Sequence, residues 1–108
     1  MYIYIAGPYT SGDVVANVVN AMEAWHMLVD LGAFPMCPHL SHFLHLHRQR
    51  SYETWMAQDL KWLERCDALF RLPGASVGAD REETRARELG LPVYYSLREV
   101  ADALAEVP

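Results

Sequence analysis

Residues 2–13, which read YIYIAGPYTSGD, predict a buried strand, a turn and the start of a helix. Tyr2–Ala6 is a run of β-branched and aromatic residues, which is typical of a buried strand. The pair Gly7-Pro8 ends that run and opens a turn. Asp13 can then cap a helix that continues to about Leu31. The chain therefore begins with a strand, a turn and a helix.

The predicted first helix has two different faces. Its polar side chains recur every three or four residues and share one face. The opposing apolar stripe includes Val18, Met22, Trp25 and Val29. We expect this stripe to pack against the first strand.

The rest of the chain alternates between strand-like and helix-like segments. In order, we predict a strand at 33–37, a His-rich connection at 38–50, a helix from 51 to about 65, a strand at 68–72, a loop at 73–78, a charged helix at 79–89, a strand at 92–95 and a helix opened by a capping box at 96–99. Such alternation is typical of α/β proteins with a parallel sheet. We therefore expect one domain, residues 1–108, folded as a flavodoxin/Rossmann-like three-layer sandwich with a four- to five-stranded parallel sheet.

The composition excludes several classes of protein. The 108 residues carry a net charge of −5, which argues against binding of nucleic acid polymers. No run of about 18 apolar residues could span a membrane, and the N-terminus lacks the features of a signal peptide. Cys37 and Cys66 have no CxxC spacing and are expected to be reduced thiols. We therefore expect a cytoplasmic protein that binds a small molecule, with no nucleic acid polymer and no membrane as partner.

The carboxyl ends of the predicted strands locate the candidate site. In open α/β sheets, ligands bind beyond this edge of the sheet. Residues 7–12, 38–47 and 73–78 follow the first three strands and converge there. The two glycine-containing loops among them can hold a phosphate, and they carry the hydroxyls of Thr10, Ser11 and Ser76.

Two carboxylates and one phenol could perform chemistry in such a site. Glu82 is predicted in the first turn of the charged helix, where the dipole favours its ionised form, although it could merely satisfy that dipole. Asp59 shares a helix face with Trp55 and Trp62, so desolvation would raise its pKa, unless it forms a surface salt bridge. Tyr4 could hydrogen-bond a carboxylate or be an ordinary core tyrosine.

Residues 37–47 are unusually rich in metal-ligating side chains, namely Cys37, His39, His42, His45 and His47. Imidazole and thiolate bind transition metals, but no spacing here matches a standard zinc signature. We favour the interpretation that one or two of these histidines, with Arg48 or Arg50, line the cleft and contact a ligand.

Three motifs taken together resemble those of a known family. They are IYIAG at 3–7, DLKWL at 59–63 followed by CDA at 66–68, and SVGADRE at 76–82 followed by LGLP at 89–92. The last motif is the most specific. The chain resembles the nucleoside 2-deoxyribosyltransferase superfamily, which includes deoxyribosyltransferases, 2-deoxynucleoside 5'-monophosphate N-glycosidases and small uncharacterised bacterial and phage relatives. The resemblance covers nearly the whole chain.

The resemblance implies a role for each of the three candidate catalytic residues. Glu82 would be the nucleophile, Asp59 would assist protonation of the leaving base, and Tyr4 would orient Glu82. Ser76 stands where the monophosphate hydrolases have a serine and the transferases tend to have an acid. The implied function is hydrolysis of the N-glycosidic bond of (deoxy)nucleoside 5'-monophosphates, through a covalent glycosyl-Glu82 intermediate, to free base and sugar 5-phosphate.

The same resemblance implies the remaining properties of the site. No metal or organic cofactor is implied. Because the relatives are dimers or larger, we expect at least a homodimer. We expect sugar, base or phosphate to contact Gly7, Pro8, Thr10, Ser11, Ser76, Gly78, His39 and His42.

Two departures from the family pattern keep other functions open. Thr10 replaces an arginine of the monophosphate hydrolases, and the sequence ends without the segment by which many relatives complete a neighbour's site. The neighbour could instead contribute another element, such as the His-rich stretch. The alternatives are a nucleoside 2-deoxyribosyltransferase that moves deoxyribose between bases, a non-catalytic nucleotide-binding module, and a metal protein built on the histidines.

Overall fold

A four-stranded parallel sheet organises the computed structural model, which describes residues 1–106. The predicted α/β class and parallel sheet are therefore confirmed, while Val107 and Pro108 of the predicted domain lie outside the described residues. No helix in this part of the chain is long and apolar enough to cross a membrane. The elements are β1 (Tyr2–Ala6), α1 (Val14–Asp30), β2 (Phe34–Met36), a 3₁₀ turn (Pro38–Leu40), α2 (Ser41–His47), α3 (Tyr52–Leu63), β3 (Ala68–Arg71), α4 (Val77–Glu88), β4 (Val93–Tyr94) and α5 (Leu97–Ala105).

The alternation of side chains along β1 builds a separate core on each face of the sheet. The strand order is β2-β1-β3-β4, so β1 is central, and all three neighbouring pairs are parallel. Ile3 and Ile5 pack in one core with α1 and α5. Tyr4 and Ala6 point the other way, into the core formed with α3 and α4. The two cores make the predicted three layers, and they direct Tyr4 toward α4.

Side-chain caps start the helices where the sequence predicts them. Asp13 Oδ1 accepts a hydrogen bond of 3.1 Å from the main-chain N–H of Ala16. The hydroxyls of Ser51 and Ser96 make equivalent caps on α3 and α5, each at 3.1 Å. Each cap satisfies a main-chain donor that has no partner inside its helix.

The apolar stripe predicted for α1 is partly wrong. Met22 and Val29 are each 40% exposed, although both were assigned to the face that packs against the sheet. The buried face consists of Val18, Ala21, Ala24 and Leu28. Two alanines on this face let the helix lie close to the sheet, and larger side chains at its margins remain in solvent.

The His-rich connection is also different from the prediction, because most of it is helical. Residues 38–40 form a 3₁₀ turn, and Ser41–His47 forms α2. Residues 39–50 contain no glycine and no proline, so nothing in the local sequence breaks a helix here. The helix brings the imidazoles of this segment to different sides of the chain, and they do not form one cluster.

Candidate active site

A cavity of about 590 Å³ lies beyond the carboxyl ends of β1, β2 and β3. This is the edge of the sheet at which the sequence predicts a ligand site. Most of the predicted site residues line the cavity, namely Gly7, Thr10, Ser11, His39, Asp59, Ser76, Gly78 and Glu82. Tyr4, Pro8 and His42 do not line the cavity. Tyr4 and His42 each contact a residue that lines it, and Pro8 packs against the loop after β3.

Tyr4 contacts Glu82 from the side of the protein core, and Glu82 itself lines the cavity. Glu82 projects from α4 and is 5% exposed, and Tyr4 projects from β1 and is completely buried. The Tyr4 hydroxyl donates a hydrogen bond to Glu82 Oε2. Burial, followed by the neighbouring negative charges, holds the pKa of Tyr4 well above its ordinary value. The phenol therefore stays neutral and remains a hydrogen-bond donor to the carboxylate.

The position of Glu82 on its helix differs from the prediction. The helix begins at Val77, two residues before the predicted start, and Ser76 caps it by accepting a hydrogen bond of 3.1 Å from Ala79 N–H. Glu82 consequently lies in the second turn, where the helix dipole acts more weakly than in the first. The Ser76 hydroxyl still has its own hydrogen to donate to a ligand.

Opposing influences act on the ionisation of Glu82. The pKa of this carboxyl is raised to about 8, mainly by burial and also by the negative charge of Asp59. The hydrogen bond from Tyr4 and the positive charge of Arg71 both lower it. Glu82 and Asp59 thus influence each other's protonation, as expected of two carboxyl groups that share one cavity.

Asp59 lines the cavity from α3, with Trp55 one turn before it. Burial raises the pKa of Asp59 to about 7, so this carboxyl can carry a proton near neutral pH. The predicted flanking by a second indole is wrong, because Trp62 is 57% exposed and lines a different groove with Tyr2 and Phe34. Each residue advances a helix by about 1.5 Å, which carries Trp62 roughly 10 Å beyond Trp55, away from the cavity.

The loops after β1 and β3 are interlocked by two glycines. A Cβ atom added at Gly7 would lie 2.8 Å from Cβ of Leu72. One added at Gly74, whose φ is +114°, would lie 2.8 Å from Cγ of Pro8. Each loop therefore fits against the other only without a side chain at its glycine. Pro8 acts in the structure as a packing residue beneath the cavity.

His39 fixes the first of these loops. Its Nε2 donates to the carbonyl oxygens of Gly7 and Pro8, at 3.2 and 3.0 Å. Both partners can only accept, so the hydrogen must reside on Nε2. Burial lowers the pKa of His39, which keeps the ring neutral and leaves Nδ1 without a hydrogen. Within residues 1–106, that Nδ1 atom has no hydrogen-bond partner.

Arg71 fixes the second loop. Its guanidinium donates to the carbonyl oxygens of Leu72 and Gly74, at 2.9 and 3.0 Å. It also forms ion pairs with Asp80 at 3.1 Å and Glu83 at 3.7 Å, both on α4. The side chain of Arg71 is 10% exposed, and of its two acidic partners Asp80 is exposed and Glu83 is partly buried. Arg71 therefore ties the loop after β3 to the helix that carries Glu82.

His42 and His45 have separate partners. His42 Nδ1 lies 2.6 Å from the hydroxyl of Tyr9, which lines the cavity. His45 Nδ1 accepts a hydrogen bond of 2.9 Å from the indole N–H of Trp55. In the described part of the chain, no three His, Cys, Asp or Glu side chains are arranged to hold a metal ion.

The site also contains three residues that were not predicted from the sequence, namely Tyr9, Tyr52 and Arg71. Tyr9 and Tyr52 line the cavity, and Arg71 organises its loop. A signal for Arg71 was present, because a charged residue at the carboxyl end of an apolar strand is unusual unless it serves the site beyond that strand. Tyr52 had no comparable signal, since it depends on the orientation of α3.

A family model described as a domain of unknown function, DUF7768, matches residues 1–96. No curated protein matches the chain. Among solved structures, the chain is similar to a 2-deoxyribosyltransferase from the psychrotolerant bacterium Bacillus psychrosaccharolyticus, with a TM-score of 0.68 and 23% identity over 86% of this chain and 69% of that chain.

These matches confirm the predicted resemblance at the level of the fold. The structural similarity covers most of the chain. The sequence identity of 23% is too low for the similarity to indicate more than the fold. The family model spans nearly all of the described residues. The chain therefore belongs to the DUF7768 family, and it has the fold of a 2-deoxyribosyltransferase.

Proposed function

We propose that the protein cleaves the N-glycosidic bond of (deoxy)nucleoside 5'-monophosphates, with Glu82 as the nucleophile. The observation that carries this proposal is the hydrogen bond from Tyr4 to Glu82 in a cavity that also contains Asp59. A buried carboxylate held by a neutral phenol is positioned for nucleophilic attack, and a second carboxyl of raised pKa can supply a proton. The fold shared with a 2-deoxyribosyltransferase supports the same class of reaction.

The proposed reaction has two steps. A Glu82 carboxylate oxygen attacks C1' of the sugar, the bond from C1' to the base nitrogen breaks, and its electron pair leaves with the base. Asp59 donates a proton to that base. Water then attacks C1' of the glycosyl ester, Asp59 accepts the proton of the water, and Glu82 leaves as a carboxylate.

The phosphate is proposed to bind where the two glycine-containing loops meet the start of α4. Ser76 can donate its hydroxyl hydrogen, and Thr10 and Ser11 line the same cavity. The first N–H groups of a helix also favour an anion. Gly78 lies in the first turn of α4 close to Met56, and has no side chain to obstruct a ligand.

The acceptor in the second step decides between hydrolysis and transfer. If a second base reaches C1' before water does, the same residues move the sugar between bases. The base nitrogen would then attack the glycosyl ester and lose its proton to Asp59. The hydrolase is our main proposal because Ser76, rather than an acid, faces the phosphate end of the site.

We further propose that the protein forms at least a homodimer through α1 and α2. Val15 and Val19 on α1 and Phe43, Leu44 and Leu46 on α2 are all exposed apolar side chains. Apolar surfaces of this kind are typical of subunit interfaces. Light scattering should give a dimer mass or larger for the wild type and a smaller mass for Leu44→Glu. A monomer mass for the wild type would exclude this oligomer.

Chromatographic detection of free base tests the proposed function. The substrates are ribo- and deoxynucleoside 5'-monophosphates and the corresponding nucleosides, each with and without a second base. Release from monophosphates in water alone supports the hydrolase, and release that requires the second base supports the transferase. Nucleotide binding without release from any substrate would contradict both and would indicate a non-catalytic binding module.

A further inference from the structure

We propose that His45, Arg50 and Trp55 form a base-recognition wall that selects 6-oxopurines over adenine. The inference rests on the proposed function and adds the class of base to it. The three residues come from the end of α2, the connection after it and the first turns of α3, and all three line the cavity. None of them belongs to the groups assigned above to bond cleavage or to the phosphate.

Trp55 supplies the flat apolar surface of the wall. It is half-buried on α3 and lies four residues before Asp59, so the two side chains share one face of the helix. Asp59 is the proposed proton donor to the leaving base, so the base must reach that carboxyl. A base in contact with Asp59 consequently lies beside the indole of Trp55, on which an aromatic ring can stack.

His45 supplies a hydrogen-bond donor, and its neighbours determine which of its two ring nitrogens carries the hydrogen. Its Nδ1 accepts from the indole N–H of Trp55 at 2.9 Å and from the main-chain N–H of Arg50 at 3.3 Å. An indole and a main-chain N–H can only donate, so Nδ1 carries the lone pair and Nε2 carries the hydrogen. Within residues 1–106, Nε2 has no hydrogen-bond partner, and it is not among the buried atoms. It is therefore available to donate to a ligand.

Arg50 adds a second set of donors next to His45. Its guanidinium has no carboxylate partner in the described part of the chain, in contrast to Arg71, Arg81, Arg85 and Arg87. An arginine has five N–H donors and no acceptor. Arg48, two residues earlier, is exposed like Arg50 but does not line the cavity. The structure therefore distinguishes the two arginines that the sequence left equivalent.

A wall of donors is complementary to one edge of an oxopurine. That edge presents N7 and O6, which are both acceptors, whereas adenine presents N7 beside an amino group that can only donate. With Asp59 donating to N7, the donors of His45 and Arg50 would lie toward the substituent at position 6. An oxygen at position 6 accepts hydrogen bonds from His45 and Arg50. An amino group at that position is itself a donor, so it leaves these two side chains without an acceptor. Such a difference corresponds to about 10- to 100-fold in affinity.

Equilibrium binding of free bases tests this inference without requiring cleavage. Hypoxanthine, adenine and inorganic phosphate are each titrated by calorimetry against the wild type, Arg50→Met and His45→Asn, and tryptophan fluorescence provides a second readout for the bases. The asparagine oxygen can replace Nδ1 as the acceptor for Trp55, but it provides no atom at Nε2. Arg48→Met is the matched control, and thermal unfolding verifies that each variant is folded.

We expect hypoxanthine to bind the wild type about 10- to 100-fold more tightly than adenine. Arg50→Met and His45→Asn should remove most of this preference, and Arg48→Met should preserve it. The inference would be overturned if adenine bound as tightly as hypoxanthine or more tightly, or if neither base bound. Equal effects of the two arginine variants would also overturn it. So would an Arg50→Met effect confined to the binding of inorganic phosphate. The proposed function is judged separately by base release, so its failure is distinguishable from the failure of this inference.

Discussion

The hydroxyl of Tyr4 on β1 donates a hydrogen bond to the carboxyl group of Glu82 on α4, 78 residues later in the chain. This contact requires Tyr4 to point to the α4 side of the sheet and α4 to pack directly over β1. Side chains along β1 alternate between the two faces of the sheet, and the core that contains Tyr4 is the one formed with α3 and α4, so both conditions are met. A residue of the central strand thus positions the proposed nucleophile.

Replacing Tyr4 by Phe should lower kcat and shift the activity to higher pH. The variant keeps the buried ring and loses the donor to Glu82, so the pKa of that carboxyl rises further. A hydrogen bond to a charged group contributes about 1.5–3 kcal/mol, which corresponds to roughly a 10- to 100-fold loss of rate. A pH profile unchanged from that of the wild type would assign Tyr4 a packing role only.

The rate should depend on pH as a narrow bell centred between about 7 and 8. The reactive form has one proton on the pair, on Asp59 and not on Glu82. The pKa of Asp59 is raised to about 7 and that of Glu82 to about 8, so this form is the minor one of the two singly protonated forms, and it is most populated between these two values. Both carboxyls are protonated at lower pH, which removes the nucleophile, and both are ionised at higher pH, which removes the acid. Initial rates of base release from pH 5 to 10 test this, and a rate that is flat from pH 5 to 7 would exclude it.

The stability of the fold should decrease as the pH rises, in part through Glu82. Its pKa is raised in the folded protein from 4.5 to about 8, so its contribution is fully present below 4.5 and is lost as the pH rises through 8. At roughly 1.4 kcal/mol per pKa unit, the effect is a few kcal/mol. Glu82→Gln carries no charge, so it should be more stable than the wild type at pH 9 but not at pH 4. Chemical denaturation measures the free energy of unfolding of both proteins at each pH. Equal stability of the two proteins at pH 9 would refute the raised pKa of Glu82.

Gly74→Ala should destabilise the protein and weaken substrate binding, because the new methyl group meets Pro8 and displaces one of the interlocked loops. Gly12→Ala is the matched control, since Gly12 also has a positive φ but has no atom within 4 Å of the added Cβ. The difference between the two variants isolates the contact and should be about 1–3 kcal/mol. Equal losses of stability would mean that backbone strain, and not loop packing, explains the glycine.

Local sequence features predict the parts of the fold that depend on near neighbours. The strand–turn–helix start and the caps at Asp13, Ser51 and Ser96 depend only on residues within a few positions, and they are found as predicted. The edge of the sheet at which the cavity lies follows from the parallel topology alone. The motifs at 59–63 and 76–82 then indicate Asp59 and Glu82, which both line that cavity.

The parts that the sequence did not predict depend on long-range packing. Met22 lies at the margin of the buried face of α1, and Trp62 lies roughly 10 Å beyond Trp55 along α3. Their exposure is therefore decided by how each helix packs on the sheet, which the periodicity of the sequence does not contain. The helix at residues 41–47 is an exception, because its contacts with the 3₁₀ turn are local in sequence and it has no buried side chain that would have marked it as a helix. His45, Arg50 and Trp55 come together only through the angle between α2 and α3.

Base release by Glu82→Ala, compared with the wild type, tests most directly whether Glu82 is the nucleophile. The control is Glu88→Ala, which removes an exposed glutamate from the same helix. With a monophosphate that the wild type cleaves, we predict that Glu88→Ala retains its rate and that Glu82→Ala loses at least about 1,000-fold, as expected when a nucleophile is removed. If folded Glu82→Ala releases base at the wild-type rate, Glu82 is not the nucleophile and the proposed mechanism is wrong.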